Sequence, residues 1–73
     1  MIERLPHDER FDRLVVDGEL VGYAFRELWD LGDGPPLHLG NTETGHTVAG
    51  ASTDDLVDRL IEKRDEVRRH RGQ

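Results

Sequence analysis

The chain has no cysteine. No disulfide can staple it, and no thiolate can serve as nucleophile or metal ligand. No apolar run approaches the roughly 20 residues that span a bilayer. The opening residues, Met1-Ile2-Glu3-Arg4-Leu5-Pro6, lack the apolar stretch of a secretory signal. These absences predict a cytoplasmic protein with no membrane partner. Apolar residues are themselves scarce, 34% against 36% charged over 73 residues. A chain this short buries only about 60% of the surface its unfolded form exposes. That is lean for a monomer with its own core, and dimerisation is an ordinary remedy.

Charge is abundant but uneven. Residues 1–58 hold four arginines against thirteen carboxylates, a net of −9. Residues 59–73 hold six cations against three carboxylates, a net of +3, which brings the chain to −6. The body is acidic and the tail is basic. An acidic body repels phosphate backbones, which weighs against non-specific nucleic-acid binding.

The strongest local signal is Asp17-Gly18, set between the β-prone runs Phe11–Val16 and Glu19–Leu28. Asp-Gly suits a type I′ turn, which needs positive φ at both central residues. A straight register from that turn pairs Val16 with Glu19, Val15 with Leu20 and Leu14 with Val21. One face then carries Leu14, Val16, Val21, Tyr23 and Phe25, the larger and more aromatic set, and is expected to be the core face. The other carries Phe11, Val15, Leu20, Ala24 and Arg26, with Gly22 flat between the two.

Residues 1–10 read as an irregular lead-in. The Gly- and Pro-rich stretch 30–36 reads as an exposed loop. Leu37–Gly40 and His46–Ala49 form a second hairpin, with Pro35 and Pro36 placing the start of the third strand at an edge. Ser52 or Thr53 caps a helix over 53–70, with Asp54 and Asp55 in its first turn. Leu56, Val57, Leu60, Ile61 and Val67 recur at helical spacing, with the stem of Arg64 in the same stripe. Gly72 stops the helix and residues 71–73 fray. The expectation is one small α+β domain over 1–73. Two consecutive β-hairpins over 11–49 form an antiparallel sheet of three to four strands, and the C-terminal helix packs on one face.

No catalytic constellation accompanies this fold. Ser52 is a cap. The single lysine, Lys63, sits between Glu62 and Arg64 on a helix. Gly32 and Gly34 are followed by prolines instead of a helix, and Asp30 and Asp33 repel phosphate, so no phosphate loop is read here. His38 and His46 share a side of the second hairpin only if its loop is Glu43-Thr44-Gly45; a four-residue loop separates them. A metal site would need a third ligand, such as Glu43. Without a tight ligand motif they are read as exposed strand positions. The expectation is a non-enzyme with no cofactor and no metal.

Leu37-His38-Leu39-Gly40, the Thr42–Gly45 turn, His46–Ala49 and Ser52-Thr53-Asp54-Asp55-Leu56 resemble, in topology, two small families. One is the arm-binding domain of tyrosine recombinases, where a hairpin leads into a Ser/Thr-capped helix. The other is the HicB-like antitoxin domain, a small antiparallel sheet followed by a capped helix. The resemblance spans residues 37–61 and implies a fold only. The arm-binding family reads DNA with basic strands, whereas these strands hold no Arg or Lys.

One helix cannot cover both faces of a sheet. Either the 29–37 loop folds over the second face or a partner buries it. The expected function is therefore a small acidic regulatory or adaptor protein, of phage or mobile-element type. It would act through protein–protein contacts, with a protein partner or a second copy. The expected contact residues are Phe11, Val15, Leu20, Trp29, Leu31 and Leu37, since Trp and Phe are favoured interface anchors. The alternative is a nucleic-acid-binding accessory protein that contacts phosphates through Arg64, Arg68, Arg69 and Arg71. The helix dipole already accounts for cations at that end, and Asp65 and Glu66 interleave with them.

Overall fold

Asp17 and Gly18 reverse the chain with φ of 51° and 84°, as a type I′ turn requires. The computed structural model of the protein describes residues 1–30 and 32–70, and the backbone of Arg71. Its elements are β1 (Ile2–Pro6), β2 (Phe11–Val16), β3 (Glu19–Phe25), β4 (His38–Asn41), β5 (Thr47–Gly50) and α1 (Thr53–Arg71). The strands pair antiparallel in chain order, β1-β2-β3-β4-β5. The α+β class, the two hairpins and the C-terminal helix are as expected. Among the described residues the sheet has five strands, not three to four.

The added strand is β1, from the segment expected to be irregular. Ile2 and Leu5 lie three apart, so they fall on opposite sides of a strand and leave no period-two signal. What orders the segment is the backbone edge of β2, along which Ile2 meets Val16 and Pro6 meets Asp12. Pro6 ends the strand on the outer edge, where its missing N–H costs no ladder bond. Asp8 Oδ1 closes the following turn by accepting from the N–H groups of Arg10 (2.8 Å) and Phe11 (2.9 Å).

A second departure lies inside the first hairpin. Val16 pairs with Glu19 and Val15 with Leu20, as the turn dictates, but Leu14 pairs with Gly22. Val21 is an extra residue, a β-bulge on β3. Because side chains alternate with period two, one inserted residue moves everything beyond it to the opposite face. Tyr23 and Phe25, expected in the core, share a side with Phe11, Arg13 and Val15 instead. Gly22 and Ala24 go under the helix, where Ala24 is fully buried. β3 also ends at Phe25, short of the expected Leu28.

Packing explains the inserted residue. The helix lies close on a floor of small residues: Gly22 and Ala24 of β3, Gly40 of β4 and Gly50 of β5. A Cβ added to Gly22 would sit 2.7 Å from the Asn41 carbonyl and 3.1 Å from the Leu60 methyls. One added to Gly40 would sit 2.7 Å from the Tyr23 carbonyl and 3.1 Å from Leu56 Cδ1. A straight register would put Tyr23 into this seat, where no ring fits. The core is consequently small: Leu14, Val21, Ala24, Leu56, Val57 and Leu60, with Val16, Val48 and Ile61 against it.

The helix starts where Ser52 Oγ accepts from Asp55 N (3.1 Å) while the Asp55 carboxylate accepts from Ala51 N (2.9 Å). This is a reciprocal cap in which Ser52 serves as the N-cap. Nineteen residues make α1 about 28 Å long at ~1.5 Å per residue. Its leading turns rest on β3, β4 and β5. Further along, Arg64 reaches back to Glu19 beside the first turn, with Nη1 to Oε1 at 2.9 Å. Arg71, expected in the frayed tail, continues the helix, while Gly72 and Gln73, expected to stop it and fray, lie outside the described residues. No helix among the described residues is long and apolar enough to cross a membrane.

Candidate docking face

The sheet side turned away from the helix is assembled from all five strands. Register and alternation place Glu3 and Leu5 of β1 there, with Phe11, Arg13 and Val15 of β2. Leu20, Tyr23 and Phe25 of β3 continue the face, followed by Leu39 and Asn41 of β4 and Thr47 and Ala49 of β5. Phe11 and Phe25 face each other across the β2–β3 pair, ring centroids 4.4 Å apart and tilted by 45°. His7, just beyond β1, packs on Tyr23 at 4.8 Å. Such tilted contacts suit the ring quadrupoles.

Trp29 and Leu37 extend the face. They exchange both backbone hydrogen bonds at 2.8 Å, an isolated antiparallel bridge at the mouth of the 30–36 loop. Leu37 alternates onto the side of Leu39, and a directly paired residue shares that side, so Trp29 joins it. Trp29 is 52% exposed. Asp30 and Gly32–Pro36 are exposed as well.

Five of the six residues expected to form a contact surface therefore lie on one side: Phe11, Val15, Leu20, Trp29 and Leu37. Leu31 falls outside the described residues. Sequence reasoning missed Leu5, Tyr23, Phe25 and Leu39 on this face. A signal for the two aromatics was present in Gly22, since a glycine inside a strand pattern marks a bulge or a close backbone approach. The chain's aromatics are two Phe, one Tyr and one Trp. All four are on this open side, and none is among the buried core.

Charge is arranged in the opposite way. The twelve strand positions of the open face include one carboxylate, Glu3, and one guanidinium, Arg13. On the helix side, beyond the end of the helix seat, Asp12 is clamped by two arginines. Arg4 Nε donates to Oδ2 at 2.6 Å and Arg26 Nε to Oδ1 at 2.9 Å. Arg4 also donates to the Phe25 carbonyl (3.1 Å) and to Thr53 Oγ1 (3.4 Å), tying β1 to β3 and to the helix start. The hydrogen bond from Arg4, reinforced by Arg26, holds the Asp12 carboxyl below its ordinary value of 3.8 against the opposing effect of burial. The backbone N–H groups of Arg10 and Phe11 lower Asp8 in the same direction.

The remaining candidates do not converge. Asn41 pairs with Thr47, and Thr42 N donates to the His46 carbonyl, so the second hairpin uses the three-residue Glu43-Thr44-Gly45 loop. His38 and His46 share a side in that register. His46 Nδ1 lies 2.9 Å from Thr44 Oγ1, and no metal-binding group of three or more His, Asp or Glu forms among the described residues. Of the arginines proposed to meet nucleic acid, Arg64 is engaged by Glu19 and lies 3.6 Å from Asp65. Arg68 lines a cleft with Glu43, Thr42 and Val67. Arg69 is exposed, and the Arg71 side chain lies outside the described residues. Arg64 and Arg68 thus share their surroundings with carboxylates.

Compared with known proteins, the chain matches no family model, no curated protein and no solved structure.

Proposed function

We propose that this protein is a non-enzymatic binding module, an acidic regulator or adaptor of phage or mobile-element type, that acts through protein–protein contacts on the open face of its sheet. The observation that carries the reading is the placement of every aromatic side chain on the side without the helix. Aromatic rings are the largest apolar groups a chain can bury and are favoured interface anchors. A small domain with a lean core that leaves all of them outside it has a surface suited to another protein.

Site-specific photocrosslinking tests this. A photoreactive phenylalanine analogue at Tyr23 is expected to give discrete covalent adducts in cells. The same group at Asp58, on the exposed side of the helix, is expected to give none. Equal labelling from both positions, or no adduct from Tyr23, would overturn the reading.

A further inference from the structure

Resting on the docking-face reading, we infer that the occupant of the open face is a second copy of this chain, the two sheets packing face to face with a helix on each outer side. Three observations point to self-association.

The first is charge. The chain is 36% charged with a net of −6. The strand positions of the open face nevertheless balance Glu3 against Arg13 and are otherwise apolar or uncharged, with Asp8 and Glu43 beside Phe11 and Tyr23, and Glu9 and Glu27 beside Phe25, at the rim. Two copies of an acidic protein repel, and a face whose centre is neutral is where they meet with the least opposition of like charges. A foreign partner selected by charge would match the acidic body, and the strand positions of the face offer it only Glu3.

The second is extent. Five strands at ~4.8 Å spacing and a length of roughly 20 Å, counting the Trp29–Leu37 bridge, give on the order of 500 Å² in plan. Accessible area follows the relief of the side chains and is larger. A stable interface removes ~600–1,000 Å² per partner, so the whole face has to be engaged and a smaller contact would not suffice. Packed sheets of this kind sit about 10 Å apart and interdigitate their inner side chains.

The third is need. Among the described residues six apolar ones are buried in the single chain, and the largest of them is a leucine. A core this lean gains stability from association, and a homodimer ties that gain to the chain's own concentration. Paired faces put Phe11, Tyr23 and Phe25 into a second core layer that each chain lacks alone.

Sedimentation equilibrium on the full chain tests this, with the emission of the single tryptophan, Trp29, as a second readout on dilution. Wild type is expected at twice its 8.3 kDa monomer mass, with Trp29 emission moving to longer wavelength as the dimer dissociates. Added salt should tighten the dimer, because it screens net repulsion and leaves apolar contact intact. Phe25→Asp and, separately, Leu39→Asp should each weaken it by about 30-fold or more, with helix content retained by circular dichroism. The wild-type dilution series stands even if a variant fails to fold. A monomer at every concentration and salt overturns the inference. So does a dimer that loosens with salt and is lost on Arg68→Glu, the behaviour of a basic helix end docking on an acidic body. A monomer whose Tyr23 position still crosslinks to a different protein overturns the second copy and keeps the docking face. A monomer without adducts overturns both.

Discussion

The two sides of this sheet have opposite chemistry. Under the helix lie Gly22, Ala24, Gly40 and Gly50, residues chosen for how little they occupy. On the other side lie Phe11, Tyr23, Phe25 and, through its bridge to Leu37, Trp29. The helix side is shaped by fit: leucine methyls reach the sheet backbone, and an added methyl meets a carbonyl at 2.7 Å. The open side is shaped by area. A single inserted residue, Val21, separates the two, because it decides which side Tyr23 and Phe25 take. A hydrophobic strand in a small domain is therefore not by itself a core strand. The helix took the side it could approach most closely, and the largest side chains went to the side without it, where Phe11, Tyr23 and Phe25 are half-buried.

Substitutions on the two sides should separate them by size of effect. Leu60→Ala, at a fully buried position, should cost about 2–5 kcal/mol by leaving a cavity between helix and sheet. Chemical denaturation should register a loss large enough to unfold much of so small a domain. Gly40→Val should cost about 1–3 kcal/mol by overpacking, since backbone, not a flexible side-chain end, is what the new group meets. If Gly40→Val were neutral, the close approach of Leu56 would be wrong.

Asp12→Asn should cost about 1 kcal/mol, because it exchanges two charge-assisted bonds for weaker ones near the surface. The same clamp predicts a pH dependence. Asp12 titrates below 3.8 in the folded protein, so the unfolded chain takes up its proton first. Its contribution is complete above 3.8 and is lost as pH falls through the folded value. Acid unfolding of Asp12→Asn should show a correspondingly shallower loss over that window. Phe25→Ala should be the mildest in a dilute monomer, about 0.5–1 kcal/mol from the tilted contact with Phe11. A Phe25→Ala loss as large as that of Leu60→Ala would erase the distinction between the two sides.

Much of this arrangement was legible in the residues. Asp17-Gly18 specified its turn through the φ values that only such a pair adopts easily. The helix was legible because Leu56, Val57 and Leu60 recur at its period and Ser52 with Asp55 marks its start. β1 was not, because Ile2 and Leu5 sit out of phase and the strand exists through the edge that β2 offers it. The bulge at Val21 was not, because Val21 itself is an ordinary strand residue. The reason for the insertion lies in Leu56 and Leu60, more than thirty residues away in sequence. As a result the open face is half legible: the turn puts Phe11, Val15 and Leu20 on one side, as the register has them, while the straight register wrongly sends Tyr23 and Phe25 to the core.

Proton–proton Overhauser contacts from the methyl groups of Leu56 and Leu60 bear most directly on this division. The arrangement predicts contacts from those methyls to the α-protons of Gly22 and Gly40 and to the Ala24 methyl, and none to the rings of Tyr23 and Phe25. Ring contacts from Tyr23 or Phe25 to either leucine would mean that the strand runs without its inserted residue, and the aromatic face described above would not exist.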